Sequence, residues 1–150
     1  MKHLAWQALF LAIVTLFSVS CAGIEDSKVN QNLQASIAST QLRLEDRNGL
    51  CGLVARTAKG SDIRLGLSVP WPCNFHLDMS GNLRAIHKAG FAYALIESSK
   101  RMPTPSRDCE TYIQSLRVKG SHVEISQHHD RVASCPPFQW DSVMFTELFD

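Results

Sequence analysis

Between Asp62 and Val69, the residues Ile63, Leu65, Leu67 and Val69 alternate with Asp62, Arg64, Gly66 and Ser68. A period of two puts alternate side chains on opposite faces of an extended strand, one face in a core and the other in water. The alternation stops at Pro70-Trp71-Pro72-Cys73. Two fixed φ angles, one large apolar side chain and one crosslinkable thiol meet there, which reads as a pinned corner. A half-buried strand ending at such a corner needs other strands beside it, and the flanking sequence supplies them.

Gln41 to Glu45 alternates in the same way, and Asp46-Arg47-Asn48-Gly49 carries the Asn-Gly signature of a hairpin turn. Leu50 to Thr57 is an apolar run holding Cys51, and Ala58-Lys59-Gly60-Ser61 turns the chain into the Asp62–Val69 strand. Asn74 to Leu77 reads as a short strand, followed by the turn residues Asp78-Met79-Ser80-Gly81-Asn82. Leu83–Ile86 and Phe91–Glu97 form a hairpin across His87-Lys88-Ala89-Gly90, and Tyr112–Val118 pairs with Val123–Gln127 across Lys119-Gly120-Ser121. In the last strand Val123 and Ile125 face inward, His122 and Glu124 outward, and His128-His129-Asp130 ends it. Asp141 caps a short final helix with Met144, Phe145, Leu148 and Phe149 on one side. The fold class is therefore mainly β: about seven short antiparallel strands in a small sheet, sandwich or curled barrel, with a short C-terminal helix.

The N-terminal stretch is of another kind. Lys2 and His3 precede an apolar run from Leu4 to Phe17, and Ser18-Val19-Ser20-Cys21-Ala22-Gly23 follows. A basic end, a short apolar segment and small residues at a cleavage point make a secretory signal peptide over residues 1–20. The run falls short of the roughly 20 apolar residues that a membrane span requires. Ser20 and Ala22 suit ordinary signal peptidase, which would release a soluble chain. Ser18-Val19-Ser20-Cys21 also resembles the lipobox of bacterial lipoproteins, with Ser18 standing where an aliphatic residue is usual. That resemblance implies lipidation at Cys21. Ala22 after it implies an outer-membrane anchor facing the periplasm. Residues 21–40 then read as a polar tether, although Val29, Leu33 and Ile37 make a weak helical stripe. Residues 41–150 are one domain.

The chain has five cysteines. Either cut removes Cys21 from the thiol count, leaving Cys51, Cys73, Cys109 and Cys135 for an oxidising compartment. Four cysteines allow three connectivities. Cys51–Cys73 with Cys109–Cys135 is favoured, since each bond closes one hairpin. The cysteines lack the short paired spacing of a structural zinc site. Without Lys2, Lys and Arg balance Asp and Glu. A neutral chain has no electrostatic footprint for nucleic acid.

No G-x-S-x-G, H-E-x-x-H, P-loop or G-x-G-x-x-G is present. His128, His129 and Asp130, with His122 and Glu124 nearby, offer imidazole and carboxylate donors, but neighbouring strand residues point to opposite faces. His76, Asp78 and Ser80 have the residue types of a hydrolytic triad without its signature spacing. Trp71 and Trp140 each sit near a proline and a cysteine, as packing against the disulfides would require. The loop Ser98–Asp108 is more distinctive, because Lys100, Arg101 and Arg107 are long donors on a proline-stiffened segment anchored by Cys109.

The expected function is that of an exported, lipid-anchored binding protein without enzymatic activity, cofactor or metal. Its partner is a protein of the periplasm or envelope, in the manner of an inhibitor, an immunity protein or an envelope-complex accessory, contacted through Lys100, Arg101 and Arg107. The alternatives are a small secreted hydrolase using His76 and Asp78 or His128 and Asp130, and a structural envelope lipoprotein.

Overall fold

The structure, a computed structural model, describes residues 33–150. The signal-peptide and lipidation readings at residues 1–20 and Cys21, and most of the tether reading, lie outside the described residues. Nine strands follow in order: β1 (Gln34–Ile37), β2 (Thr40–Arg47), β3 (Leu50–Arg56), β4 (Asp62–Pro70), β5 (Asn74–Phe75), β6 (Ala85–Lys88), β7 (Phe91–Arg101), β8 (Cys109–Lys119) and β9 (His122–Val132). One helical turn, α1 (Met144–Glu147), ends the chain. All pairings are antiparallel. The first sheet runs β1-β2-β3-β4, and the second runs β5-β7-β8-β9 with β6 also on β7. Of the architectures expected from sequence, the sandwich is the one observed; the sheets do not close into a barrel.

Binary patterning explains the layering. Leu42 and Leu44 of β2, Cys51, Leu53 and Ala55 of β3, and Leu67 and Val69 of β4 form the inner face of the first sheet. They meet Phe75, Ala92, Ala94, Ile96, Leu116, Val118 and Val123 from the second. Strand β7 is apolar from Phe91 to Ile96 because both its faces are covered. Tyr93 and Leu95 point away from the first sheet and pack with Ile113 against Trp140, Phe145 and Leu148. The C-terminal segment is therefore a third layer, and Met144, Phe145, Leu148 and Phe149 share its apolar side. Asp141 Oδ1 accepts the Val143 N–H at the turn before α1 rather than capping the helix itself.

On the outer face of the first sheet, Gly52 and Gly66 sit opposite each other in register. The Arg47 side chain lies across them, and a Cβ on Gly52 would collide with its methylene stem.

The disulfides are Cys51–Cys73 and Cys109–Cys135, the favoured pairing of the three. Trp71 is half-buried against the core that contains the first of them. Trp140 instead joins the third layer, where its ring packs beside His76 and Phe138.

Besides end shifts such as β6 at Ala85–Lys88 rather than Leu83–Ile86 and β5 at Asn74–Phe75 rather than Asn74–Leu77, three boundaries differ from the sequence reading. Strand β1 occupies the end of the expected tether, so the first sheet begins at Gln34 rather than Gln41. Its turn onto β2 uses Ala38 and Ser39 at φ 44° and 64°, a left-handed pair that normally announces itself with Asn or Gly. Residues Ser98–Arg101, expected in a loop, extend β7 and pair with Cys109–Tyr112 of β8. They overhang the sandwich, bury no apolar face and so show no hydrophobic alternation. The true loop is confined to residues 102–108, where Pro103 and Pro105 cannot donate to the ladder.

The third difference is in β9, which continues through His128-His129-Asp130 to Val132. The ladder shifts there, with Leu116 opposite Ile125 but Gln114 opposite His129. Ser126–His128 stand opposite the single residue Ser115, two more than the ladder needs, and form a bulge closed by side chains. Gln114 Nε2 donates to Ser126 O at 2.8 Å, and Ser126 Oγ accepts the Ser115 N–H at 3.1 Å.

Candidate functional site

The far half of the second sheet keeps one face open. On β7, Tyr93 and Leu95 are roofed by Trp140 and Phe145, but Glu97, Ser99 and Arg101, next on the same face by strand alternation, are not. They form the floor and rim of a cleft of ≈ 740 Å³. One wall is the corner and turn after β4, with Pro72, Leu77, Asp78 and Met79. The other is the segment Cys135-Pro136-Pro137-Phe138-Gln139.

Both walls are tied down by identifiable bonds. Cys109–Cys135 fastens the second wall to the start of β8. The fully buried Thr111 hydroxyl donates to Ser134 O at 2.6 Å. Ser98 Oγ donates to Pro72 O at 2.8 Å, and Gln139 Nε2 to Leu77 O at 3.3 Å. Met79 and Phe138 remain 93% and 46% exposed, so large apolar side chains stand in water on both sides of the opening. A rigid concavity of this size, with apolar walls and a few placed polar groups, has the form of a binding site.

At the floor, Glu97 Oε2 accepts the Trp140 indole N–H at 2.8 Å and lies 3.3 Å from His76 Nδ1. His76 is 2% exposed, and its Nε2 is buried without a hydrogen-bond partner among the described residues. Phe145 meets the imidazole edge-on at 6.1 Å between ring centres. The sequence shows His76 as one of six histidines and offers no sign of its partner, since Glu97 comes from another strand.

The hydrolytic set His76, Asp78 and Ser80 is not assembled. Asp78 Oδ1 accepts the backbone N–H groups of Ser80 and Asn82 at 2.8 and 2.9 Å, within its own turn. The Asn82 N–H foremost, with further help from Ser80, holds the Asp78 carboxyl below the usual aspartate range. The other histidine cluster is dispersed as well. His128 lies in the bulge, His129 opposite Gln114 and Asp130 opposite Ile113. His122 Nε2 contacts Glu124, which also binds Arg117. Together these two partners depress the Glu124 carboxyl, His122 contributing most. Among the described residues no cluster of three His, Cys, Asp or Glu side chains stands ready for a metal ion.

The three cations singled out in the sequence all lie at the β7–β8 end and all are exposed. Strand alternation separates them: Arg101 lines the cleft, Lys100 points to the opposite face, and Arg107 rides on the connecting loop. None pairs with a carboxylate within 4 Å among the described residues, whereas Arg43, Arg56, Arg64, Arg117 and Arg131 all do. Met102, 45% exposed, stands between them.

Two disulfides suit an oxidising compartment. Among the described residues no helix is long and apolar enough to cross a membrane. No protein-family model, no curated protein and no solved structure matches this chain.

Proposed function

We propose that this chain is an exported binding protein, lipid-anchored through Cys21 at the periplasmic face of the outer membrane, that acts by holding another protein of the envelope. Its contact surface is the β7–β8 tip together with the cleft beneath it. The observation that carries this reading is the set of cations Lys100, Arg101 and Arg107, unpaired among the described residues, on the β7–β8 hairpin beside an opening flanked by exposed Met79 and Phe138. Unpaired arginine and lysine heads on a fixed backbone are preset to meet carboxylates, while the apolar walls supply desolvated anchoring area. Pinning by Cys109–Cys135 limits the ordering entropy lost on association.

The test is affinity capture from envelope extract with the full chain, both disulfides formed, followed by titration calorimetry on the captured partner. The triple variant Lys100→Glu/Arg101→Glu/Arg107→Glu should bind that partner at least about tenfold more weakly, with its unfolding free energy lowered only by the roughly 0.2–1 kcal/mol that a carboxylate at position 100 opposite Glu110 costs. Binding by the wild type should weaken with added salt. Equal affinity in the triple variant, or no stoichiometric partner, overturns the proposal.

A further inference from the structure

The polar floor of the cleft is not cationic like its rim. Glu97 and Asp78 are its carboxylates, and Arg101 at the edge is its charged donor. Glu97 is fixed in place, since Trp140 takes its Oε2 and the buried His76 ring stands against the same oxygen. Its other oxygen, Oε1, takes no hydrogen bond among the described residues, although Glu97 lines the opening. A carboxylate oxygen held rigid in a partly desolvated site, with no donor of its own, is complementary to a cation. The walls define the rest of the ligand. Met79, Pro136 and Pro137 offer apolar surface to a methylene stem, and the exposed Phe138 ring in the same lining is an aromatic surface on which a planar cation can stack.

We infer that the cleft receives a basic side chain, an arginine or lysine of the partner protein, with its stem between Met79 and Phe138 and its head on Glu97 Oε1. The identity of the occupant as a protein side chain rests on the proposed function; the cation specificity of the cleft does not. The partner segment then carries two charges in sequence: a basic residue entering the cleft and acidic residues meeting Lys100, Arg101 and Arg107 at the rim. The second pattern selects for the first, because a purely acidic segment would leave Glu97 facing a like charge.

Trp140 gives this a direct readout. Its indole N–H is bonded to the carboxylate in question, so its NMR resonance reports on whatever binds the other oxygen. The experiment titrates the ¹⁵N-labelled full chain, both disulfides formed, with N-acetyl-arginine amide, and separately with N-acetyl-norleucine amide and N-acetyl-glutamate amide. The arginine probe should shift the Trp140 indole signal saturably, and the norleucine probe should bind at least tenfold more weakly. Phe138→Ala removes a ring that also packs on Trp140 at 4.8 Å, so it should weaken the arginine probe severalfold while amide signals away from Trp140 stay unchanged. Glu97→Gln should abolish the titration, with the folded state checked by an otherwise unchanged amide spectrum. Equal response to arginine and norleucine, a stronger response to glutamate, or full binding by Glu97→Gln overturns the inference. The double rim variant Lys100→Glu/Arg107→Glu, which leaves the cleft lining intact, should still bind the arginine probe, so loss of the partner and loss of the cleft specificity are read separately.

Discussion

Replacing Gln114 with Ala tests how the two sheets are held together. The Gln114 side chain is 3% exposed and serves both sheets at once. Its Oε1 accepts the Ser68 N–H of β4 at 2.8 Å, and its Nε2 donates to Ser126 O in the β9 bulge at 2.8 Å. Alanine deletes both bonds. The two backbone groups differ in what happens next. Ser68 is exposed, so water can reach its N–H, and that loss is about 1 kcal/mol. The Ser126 carbonyl bond is buried, and leaving that acceptor bare costs roughly 1–3 kcal/mol. The sum is about 2–4 kcal/mol, a large share of the stability of any small domain. Urea unfolding followed by tryptophan fluorescence should show the midpoint falling by about 1–2 M with the slope unchanged. Gln114→Glu sharpens the test. It keeps an acceptor for Ser68 but sets a carboxylate oxygen against the Ser126 carbonyl. Burial and that carbonyl raise the new carboxyl above its unfolded value of about 4.3. A raised folded pKa contributes stability that is fully present below the unfolded value and lost as pH rises through the folded one. The Glu variant should therefore approach wild type near pH 4 and fall to or below the Ala variant at pH 7. A midpoint shift under about 0.3 M in Gln114→Ala, or a Glu variant indifferent to pH, would refute the account of Gln114 as an inter-sheet bridge.

Two other outcomes follow from burial and charge. The disulfides close loops of similar length, with separations of 22 and 26 residues, so chain entropy values each at roughly 3–4 kcal/mol. Cys51 and Cys73 are fully buried while Cys135 is half-exposed, so dithiothreitol without denaturant should open Cys109–Cys135 first. Alkylation and mass spectrometry read the order, and the reverse order contradicts this. The Asp78 carboxyl is depressed, so its stabilisation is present above the unfolded value of about 3.9 and lost as pH falls through the folded one. The urea midpoints of wild type and Asp78→Ala should accordingly differ at pH 7 and converge toward pH 3; a gap independent of pH counts against the turn as an ionised anchor.

Some of this molecule follows from the order of its residues alone. Alternation at Asp62–Val69, the Asn48-Gly49 turn and the doubly apolar Phe91–Ile96 run identify strands because periodicity and turn chemistry are local properties. The cysteine pairing was legible for a similar reason, since each bond closes neighbouring strands. Other features had no local signal. Ala38-Ser39 turns with residues that rarely adopt positive φ, and Ser98–Arg101 is strand only because β8 lies beside it. Gln114 carries no local sign of its role either, since its partners Ser68 and Ser126 come from different sheets. The candidate site belongs almost wholly to this second kind. The sequence offered three cations in one stretch, and strand pairing then turned Arg101 toward a cleft and Lys100 away from it. Glu97, His76 and the Phe138–Trp140 segment lie far apart along the chain, and only the packing of the C-terminal layer on the second sheet brings them together. Contacts of that kind depend on which surfaces meet, and no short window of residues contains that information.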